Sequence, residues 1–244
     1  MSASYMTFIE TNKGSYCYAV SRQIRNQQDS DRQRGGKSHE RSQVSGHACK
    51  ELKTLMKGER NEMKKMTEQH LINAFGGESQ AHMRYLHFAN QAEKEKYNNV
   101  ARLFRAISHA EYVHAGDHYR ELKHLDGGFV ANSMAAFGPG DSKKNLKLSI
   151  AGETFEIEEM YPVYLEAAKF QGEKGAQRSF EWAYGTEKMH KQLYEKALDS
   201  VNSGKDVKLG PIHVCEICGY TIEGEAPDKC PLCNASKDKF IVFK

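Results

Sequence analysis

Four stretches of this chain place apolar residues at the three- and four-residue steps of an amphipathic helix, and each interrupts its apolar face with a glutamate. These glutamates are Glu78, Glu111, Glu153 and Glu187. Four such helices are predicted to pack as a four-helix bundle, and the third is predicted to run without interruption through 146–168. Because burying an unpaired carboxylate is costly, four of them in one core require a strongly cationic centre between them.

Histidines one helical turn beyond two of these glutamates indicate what the cation is. Glu111 and His114 form one Glu-x-x-His pair, and Glu187 and His190 form the other. A glutamate from each of two helices plus a Glu-x-x-His pair from each of the other two is the ligand set of a di-iron or di-manganese carboxylate bundle. Oxygen and imidazole ligands with open positions favour iron or manganese over a closed zinc site.

The same pattern occurs in both halves of the predicted bundle. Glu111 follows Glu78 by 33 residues, and Glu187 follows Glu153 by 34. A single Glu-x-x-His pair is more often an exposed salt bridge, but two pairs in register with inward glutamates favour a metal site. Glu156, one turn beyond Glu153, is predicted to add an oxygen ligand on the third helix.

Two tyrosines lie about two turns beyond a core glutamate. Tyr85 follows Glu78 by seven residues and Tyr161 follows Glu153 by eight. Each is a candidate for donating a hydrogen bond to a metal-bound carboxylate. The alternative, an ordinary core tyrosine, is equally compatible with this spacing.

Four of the six cysteines form two Cys-x-x-Cys pairs near the C-terminus, at Cys215, Cys218, Cys230 and Cys233. This spacing is typical of one tetrahedral zinc or iron site, and it does not choose between the two metals. Gly219 follows the first pair and Asn234 the second. Both residue types accept a positive φ, which would let backbone N–H groups face the sulfurs.

Composition and connections divide the chain into three parts. Residues 1–65 carry its excess of basic residues with little apolar periodicity, so we expect a disordered or loosely structured arm, more in keeping with a solvated tail than with a nucleic-acid or import signal. Residues 66–203 form the predicted bundle and 210–244 the cysteine domain. A glycine-containing link at 126–145 fits a crossover along the bundle, or an exchange of helices between subunits.

Two features of the whole chain bear on its location. No run of 18 apolar residues is present, so we expect no membrane span. The cysteines are clustered, and no apolar segment with a small-residue cleavage site precedes them. These features predict a cytoplasmic metal-binding protein rather than a secreted disulfide-bonded one.

Residues 67–244 resemble the rubrerythrin family. The matching segments are AFGGESQAHMRY, AGETFEIEEMYP, the two Glu-x-x-His helices and the CxxCGY…CPLC tail. The resemblance implies a ferritin-like di-iron bundle and a rubredoxin-like domain whose four cysteines bind a mononuclear iron. It implies the di-iron ligands Glu78, Glu111, Glu153, Glu156, Glu187 and His190. His114 would be the alternate ligand, toward which one iron shifts from Glu156 as the redox state changes, and Tyr85 and Tyr161 match the family's tyrosines beside the site. The N-terminal arm has no counterpart, and Asn234 replaces a common glycine.

The resemblance also implies an activity, that of an oxidoreductase reducing hydrogen peroxide to water in oxidative stress defence. Glu156, His114, Tyr85 and Tyr161 are then the candidate catalytic residues. Electrons would pass through the Fe(Cys)4 centre from an external donor, either a rubredoxin or an NAD(P)H-dependent reductase. We expect a homodimer or higher homo-oligomer, with neither membrane nor nucleic acid as partner. One alternative is a ferroxidase or iron-handling protein that uses O2, and another is a non-catalytic zinc-ribbon binding module on a helical scaffold.

Overall fold

The computed structural model describes residues 62–244, and Met63–Lys244 form one compact unit. The predicted arm at 1–65 lies almost wholly outside the described residues, so its character stays a prediction. Among the described residues, no helix is long and apolar enough to cross a membrane.

Helices dominate the first 140 described residues, and a small sheet follows them. The helices are α1 (Lys65–Lys94), α2 (Asn98–Glu121), α3 (Ser142–Phe155), α4 (Tyr161–Gln171) and α5 (Lys174–Asn202). A π-helical segment, Glu156–Met160, joins α3 to α4. The strands are β1 (Ile212–Cys215), β2 (Thr221–Glu223) and β3 (Phe240–Phe243), with a 3₁₀ turn at Lys237–Lys239. The predicted order of four helical rods and a small cysteine unit is therefore confirmed.

The prediction of an uninterrupted third helix is wrong at the π-helical segment. Pro162, in the first turn of α4, has no N–H to donate to the carbonyl four residues earlier, and its ring crowds that carbonyl. The wider π turn advances the buried face by about one residue. Tyr161 is consequently fully buried, whereas Ile157 and Tyr164, which the uninterrupted period places on the core face, are partly exposed.

The connections between helices follow from local backbone chemistry. The short turns after α1 and α4 make their flanking helices antiparallel, and Gly172 supplies the positive φ of 75° that ends α4. The longer crossover between α2 and α3 lies against α1. A Cβ at Gly76 would meet the Cβ of Ala131 at 2.8 Å, so glycine permits this close approach. Asp141 then caps α3 by accepting the N–H of Lys144.

Two apolar clusters occupy the two ends of the bundle core. The first includes Phe88, Phe104 and Leu146, and the second includes Leu71 and Phe180. Along each helical rod, the core glutamate lies between a segment that contributes to one cluster and a segment that contributes to the other. The carboxylates are therefore enclosed by apolar residues on both sides, which excludes water from them.

The cysteine unit is attached to the bundle by polar contacts. Its sheet is antiparallel with the order β2-β1-β3. Arg102 of α2 donates to the carbonyls of Leu209 and Gly210, both at 2.9 Å. The Asp206 carboxylate accepts the N–H of Asn99 at 2.8 Å and thereby caps α2. These contacts seat the cysteine unit against α2.

Candidate metal centres

The helices bring six predicted ligands into one buried cluster with two overlapping groups. In each group, four ligand atoms lie within 4.8 Å of one another. One group comprises Glu78, Glu111, His114 and Glu187, and the other Glu111, Glu153, Glu187 and His190. Glu111 and Glu187 belong to both groups. The arrangement therefore fits two metal ions, which the two overlapping groups would hold between them.

Both histidines direct Nδ1 toward the shared carboxylates. Nδ1 of His114 lies 3.0 Å from Glu111 Oε2 and 3.1 Å from Glu187 Oε1. Nδ1 of His190 lies 2.8 Å from Glu187 Oε2 and 3.2 Å from Glu111 Oε1. A neutral imidazole presents a lone pair at one ring nitrogen only, so Nδ1 is the atom available for a metal on each side.

Unpartnered carboxylate oxygens test whether the cluster fits a metal. Glu78 Oε2 and Glu153 Oε2 are both buried without a hydrogen-bond partner among the described residues. One belongs to each ligand group. An orphaned carboxylate oxygen in a dry core is strongly unfavourable, and a cation in each group would satisfy it. The oxygen-rich donor set fits iron or manganese.

The shifted pKa values of the cluster glutamates also indicate a metal site. Burial raises the pKa of Glu153 to about 8, and burial together with the Glu111 charge raises the pKa of Glu78 well above its ordinary value. Burial opposes ionisation of Glu187 as well, but His114 and His190 hold its pKa below the ordinary value. Without metal, protons must therefore neutralise part of the cluster, and two divalent ions would replace them.

Each candidate tyrosine donates to a carboxylate of the opposite hairpin. The Tyr85 hydroxyl donates to Glu153 Oε1 at 2.7 Å, and the Tyr161 hydroxyl donates to Glu78 Oε1. The helical spacing identified both tyrosines, but these partners lie 68 and 83 residues away in the chain. Only the packing of the bundle shows that each tyrosine donates to the glutamate of the other hairpin.

A chain of hydrogen bonds continues outward from Tyr161. Its hydroxyl lies 3.0 Å from Nε2 of His118, and Nδ1 of His118 lies 2.7 Å from Ser179 Oγ. Burial lowers the pKa of His118 to about 3, so its ring is neutral and has one donor and one acceptor nitrogen. Ser179 lines an open cleft together with Asp117 and Trp182. The chain therefore links Glu78 to a cleft at the surface.

Glu156 lies beside the cluster but in neither group. It is the first residue of the π-helical segment and retains some exposed surface. Burial of its carboxyl group, followed by the charges of Glu78 and Glu153, raises its pKa well above the ordinary value. It is thus close enough to interact electrically with the cluster. Its assignment as a ligand stays a prediction, and the π turn is what sets it apart from the helical ligands.

The four cysteines converge on a second site. The Sγ atoms of Cys215 and Cys233 are 3.7 Å apart, and those of Cys218 and Cys230 are 3.5 Å apart. Tetrahedral sulfur ligation with bonds of about 2.3 Å requires a separation of roughly 3.8 Å between sulfurs. These distances fit one four-cysteine metal and exclude disulfides at about 2.05 Å.

The residues that follow the two cysteine pairs have the predicted backbone conformation. Gly219 has a φ of 76° and Asn234 a φ of 63°. Their N–H groups donate to the carbonyls of Cys215 and Cys230, which closes each turn around the sulfurs. The cysteine thiols also influence one another, because a hydrogen bond from Cys218 lowers the pKa of Cys215 to about 5. A proton shared among crowded thiols is readily displaced by a metal.

Comparison with known proteins agrees with this geometry. The rubrerythrin family profile matches residues 69–198. Rubrerythrin-2 of Clostridium acetobutylicum is 44% identical over 180 residues, which cover 73% of this chain and 97% of that protein. This chain belongs to the rubrerythrin family.

Other comparisons cover the C-terminal unit of this chain and its fold. The profile of the rubrerythrin rubredoxin-like domain matches residues 213–241. Nigerythrin of Nitratidesulfovibrio vulgaris is 33% identical over 72% of this chain and 86% of that protein. A solved structure titled as the fully reduced, all-ferrous state of nigerythrin superposes with a TM-score of 0.64 at 32% identity, covering 75% of this chain and 89% of that one. The predictions of a ferritin-like bundle, a rubredoxin-like domain and two metal sites are confirmed.

Proposed function

We propose that this protein reduces hydrogen peroxide to water. The observation that carries the proposal is a buried dinuclear carboxylate cluster with a four-cysteine site packed against it in the same chain. The first site suits a two-electron reaction, and the second suits the transfer of single electrons. We assign iron to both sites, because the matching nigerythrin structure is described as all-ferrous.

The overall reaction is H2O2 + 2 H⁺ + 2 e⁻ → 2 H2O. Ferrous ions at the cluster supply the two electrons when bound, and the protein supplies protons, orientation and a dry site. Glu78, Glu111, Glu153, Glu187, His114 and His190 would hold the metal pair, with Glu156 as the additional carboxylate. Tyr85 and Tyr161 fix the orientation of Glu153 and Glu78 through their hydroxyl donors.

The Tyr161 chain gives protons a route through the apolar shell. Tyr161 donates to Glu78, and its oxygen in turn accepts from His118, which accepts from Ser179. Each group is both donor and acceptor, so a proton entering from the cleft can move along the chain without free water. The burial of these groups keeps solvent from the reacting site.

Electrons enter at the cysteine domain. Cys233 is the one partly exposed cysteine of the four, and Ile217 between the first two is 38% exposed. An external donor, either a rubredoxin or an NAD(P)H-dependent reductase, would dock at this surface and pass electrons one at a time. A homodimer or higher homo-oligomer and a cytoplasmic role in stress defence remain part of this proposal.

The test separates peroxide chemistry from electron entry. In Cys215→Ser, prereduced protein still consumes one equivalent of H2O2 per cluster, but turnover driven by rubredoxin and its NADH-dependent reductase falls to background. Cys49→Ser, at a cysteine outside the four-cysteine cluster, retains both activities. Unchanged donor-driven turnover in C215S would contradict electron entry through the cysteines. A prereduced protein that reacts faster with O2 than with H2O2 would favour the ferroxidase alternative.

A further inference from the structure

Thr221 contacts both the first cysteine turn and the metal cluster. It is the first residue of β2 and is fully buried. Its Oγ1 donates to the Gly219 carbonyl at 3.0 Å and lies 3.0 Å from Nε2 of His190. Gly219 directly follows Cys218, so one hydroxyl joins the turn that holds the four-cysteine metal to a histidine of the dinuclear cluster.

The donor and acceptor roles in this bridge are determined by counting hydrogens. The Thr221 hydroxyl has one hydrogen, and the Gly219 carbonyl can only accept. Thr221 must therefore accept from His190, which requires a hydrogen on Nε2 of that ring. When a bound metal keeps the ring neutral, the lone pair is then on Nδ1, the atom that faces Glu187 and Glu111.

His114, the counterpart of His190, has no such partner. Its Nε2 is buried without a hydrogen bond to any described residue and lies against the backbone of Gly219. A Cβ at Gly219 would stand 2.2 Å from this nitrogen. The cysteine unit thus packs against both histidines but forms a hydrogen bond with His190 only among the described residues. This difference is a property of the tertiary contact, because both histidines belong to the same Glu-x-x-His pattern.

We propose that Thr221 is a positioning residue that fixes the ring orientation and Nε2–H tautomer of His190 and couples the cysteine turn to the dinuclear site. It orients the His190 ring through a hydrogen bond at Nε2, whereas Nε2 of His114 bonds to no described residue. The two hydrogen bonds of Thr221 also connect the turn after Cys218 to the dinuclear site. The inference rests on the proposed function only in its electron-transfer part.

The decisive variant is Thr221→Val, which keeps the shape and β-branching of the side chain and removes the hydroxyl. Thr186→Val is the matched control. Thr186 is also fully buried, lies on the same helix as His190 and bonds only the Trp182 carbonyl four residues earlier. Thr221→Ser restores the hydroxyl. If T221V disturbs the sheet, as judged by loss of the four-cysteine iron absorption, Thr221→Ala removes the same hydroxyl without adding bulk.

Two measurements do not depend on activity. Ferrous-ion affinity of the bundle site, measured by chelator competition on the full chain, should fall about 10- to 100-fold in T221V, the usual effect of removing a partner of a histidine ligand. T186V and T221S should keep the wild-type affinity. In zinc-loaded, ¹⁵N-histidine-labelled protein, the His190 Nε2–H signal should shift and exchange faster with solvent in T221V alone.

A third measurement addresses coupling between the sites. After reduced protein is mixed with H2O2, reoxidation of the four-cysteine iron should be slower in T221V than in T186V. Equal affinities and equal His190 signals in T221V and T186V would overturn the inference, and so would failure of T221S to restore them. A wild-type protein that does not consume H2O2 would instead overturn the proposed function, while the affinity and NMR results would still decide the role of Thr221.

Discussion

Replacing Gly219 by alanine tests how the cysteine unit is seated on the bundle. The new Cβ would lie 2.2 Å from Nε2 and 2.5 Å from Cδ2 of His114. Such distances are far inside van der Waals contact, so one of the two groups must move. The His114 ring cannot yield easily, because it is 1% exposed and its Nδ1 lies between Glu111 and Glu187.

The expected destabilisation has two parts. An alanine at the φ of 76° costs about 1–2 kcal/mol. Forcing a methyl group into a packed core adds about 1–3 kcal/mol. Gly172→Ala isolates the first part, because Gly172 has a φ of 75° and a Cβ there meets nothing within 4 Å. We therefore expect G219A to lose roughly 1–3 kcal/mol more than G172A.

Urea unfolding followed by tryptophan fluorescence measures this difference. Trp182 is the single tryptophan of the chain and packs against the buried cysteines. Its emission therefore reports on the contact between the bundle and the cysteine unit. The G219A transition should begin at lower urea than the G172A transition. Equal free energies of unfolding for the two variants would refute the close packing of Gly219 on His114.

Three further predictions follow from individual contacts. Tyr85→Phe should lower the free energy of unfolding of the metal-free protein by about 1–3 kcal/mol, because Glu153 loses its donor. Tyr194→Phe should leave that free energy unchanged, since the buried Tyr194 hydroxyl bonds to no described residue. Equal losses for the two variants in a urea titration would contradict this prediction. Because burial raises the pKa of Glu153 from 4.5 to about 8, the folded metal-free protein retains a proton that the unfolded chain releases. Its stability should therefore fall as pH rises through that window, by up to about 1.4 kcal/mol per pH unit for this group, and a urea midpoint independent of pH would be the contrary result. Asp206→Ala should cost about 1 kcal/mol through loss of the α2 cap, whereas Asp199→Ala, at an exposed position of α5, should leave the thermal midpoint unchanged.

The helices and most of the cluster were predictable because their signals are local. The 3.6-residue period identifies the core face of each helix, and a carboxylate on that face is conspicuous against apolar neighbours. Glu78 and Glu153 show this, since each interrupts an apolar face and lies in one of the two ligand groups. The 3.6-residue period did not predict the π-helical segment. A proline inside a periodic stretch signals a break, but the period continues on both sides and conceals the shift in register.

The two positive-φ residues that follow the cysteine pairs show which conformations the local sequence predicts and which choices depend on tertiary packing. The cysteine spacing predicts a left-handed residue after each pair, and either glycine or asparagine satisfies it. Sequence cannot tell why the first is Gly219 and the second Asn234. The structure supplies a reason for the first, because only that turn packs against His114 with no space for a Cβ.

The sequence by itself thus determined the four helical rods, the candidate carboxylate and imidazole ligands, and the four-cysteine site, since all of these depend on spacing within a helix or a turn. Tertiary structure alone decided which tyrosine donates to which glutamate, where Glu156 lies, and that Thr221 contacts His190 while no residue of 62–244 makes an equivalent hydrogen bond to His114. Those contacts join residues 31 to 83 positions apart. They depend on how whole elements pack, and no periodic pattern along the chain records that packing.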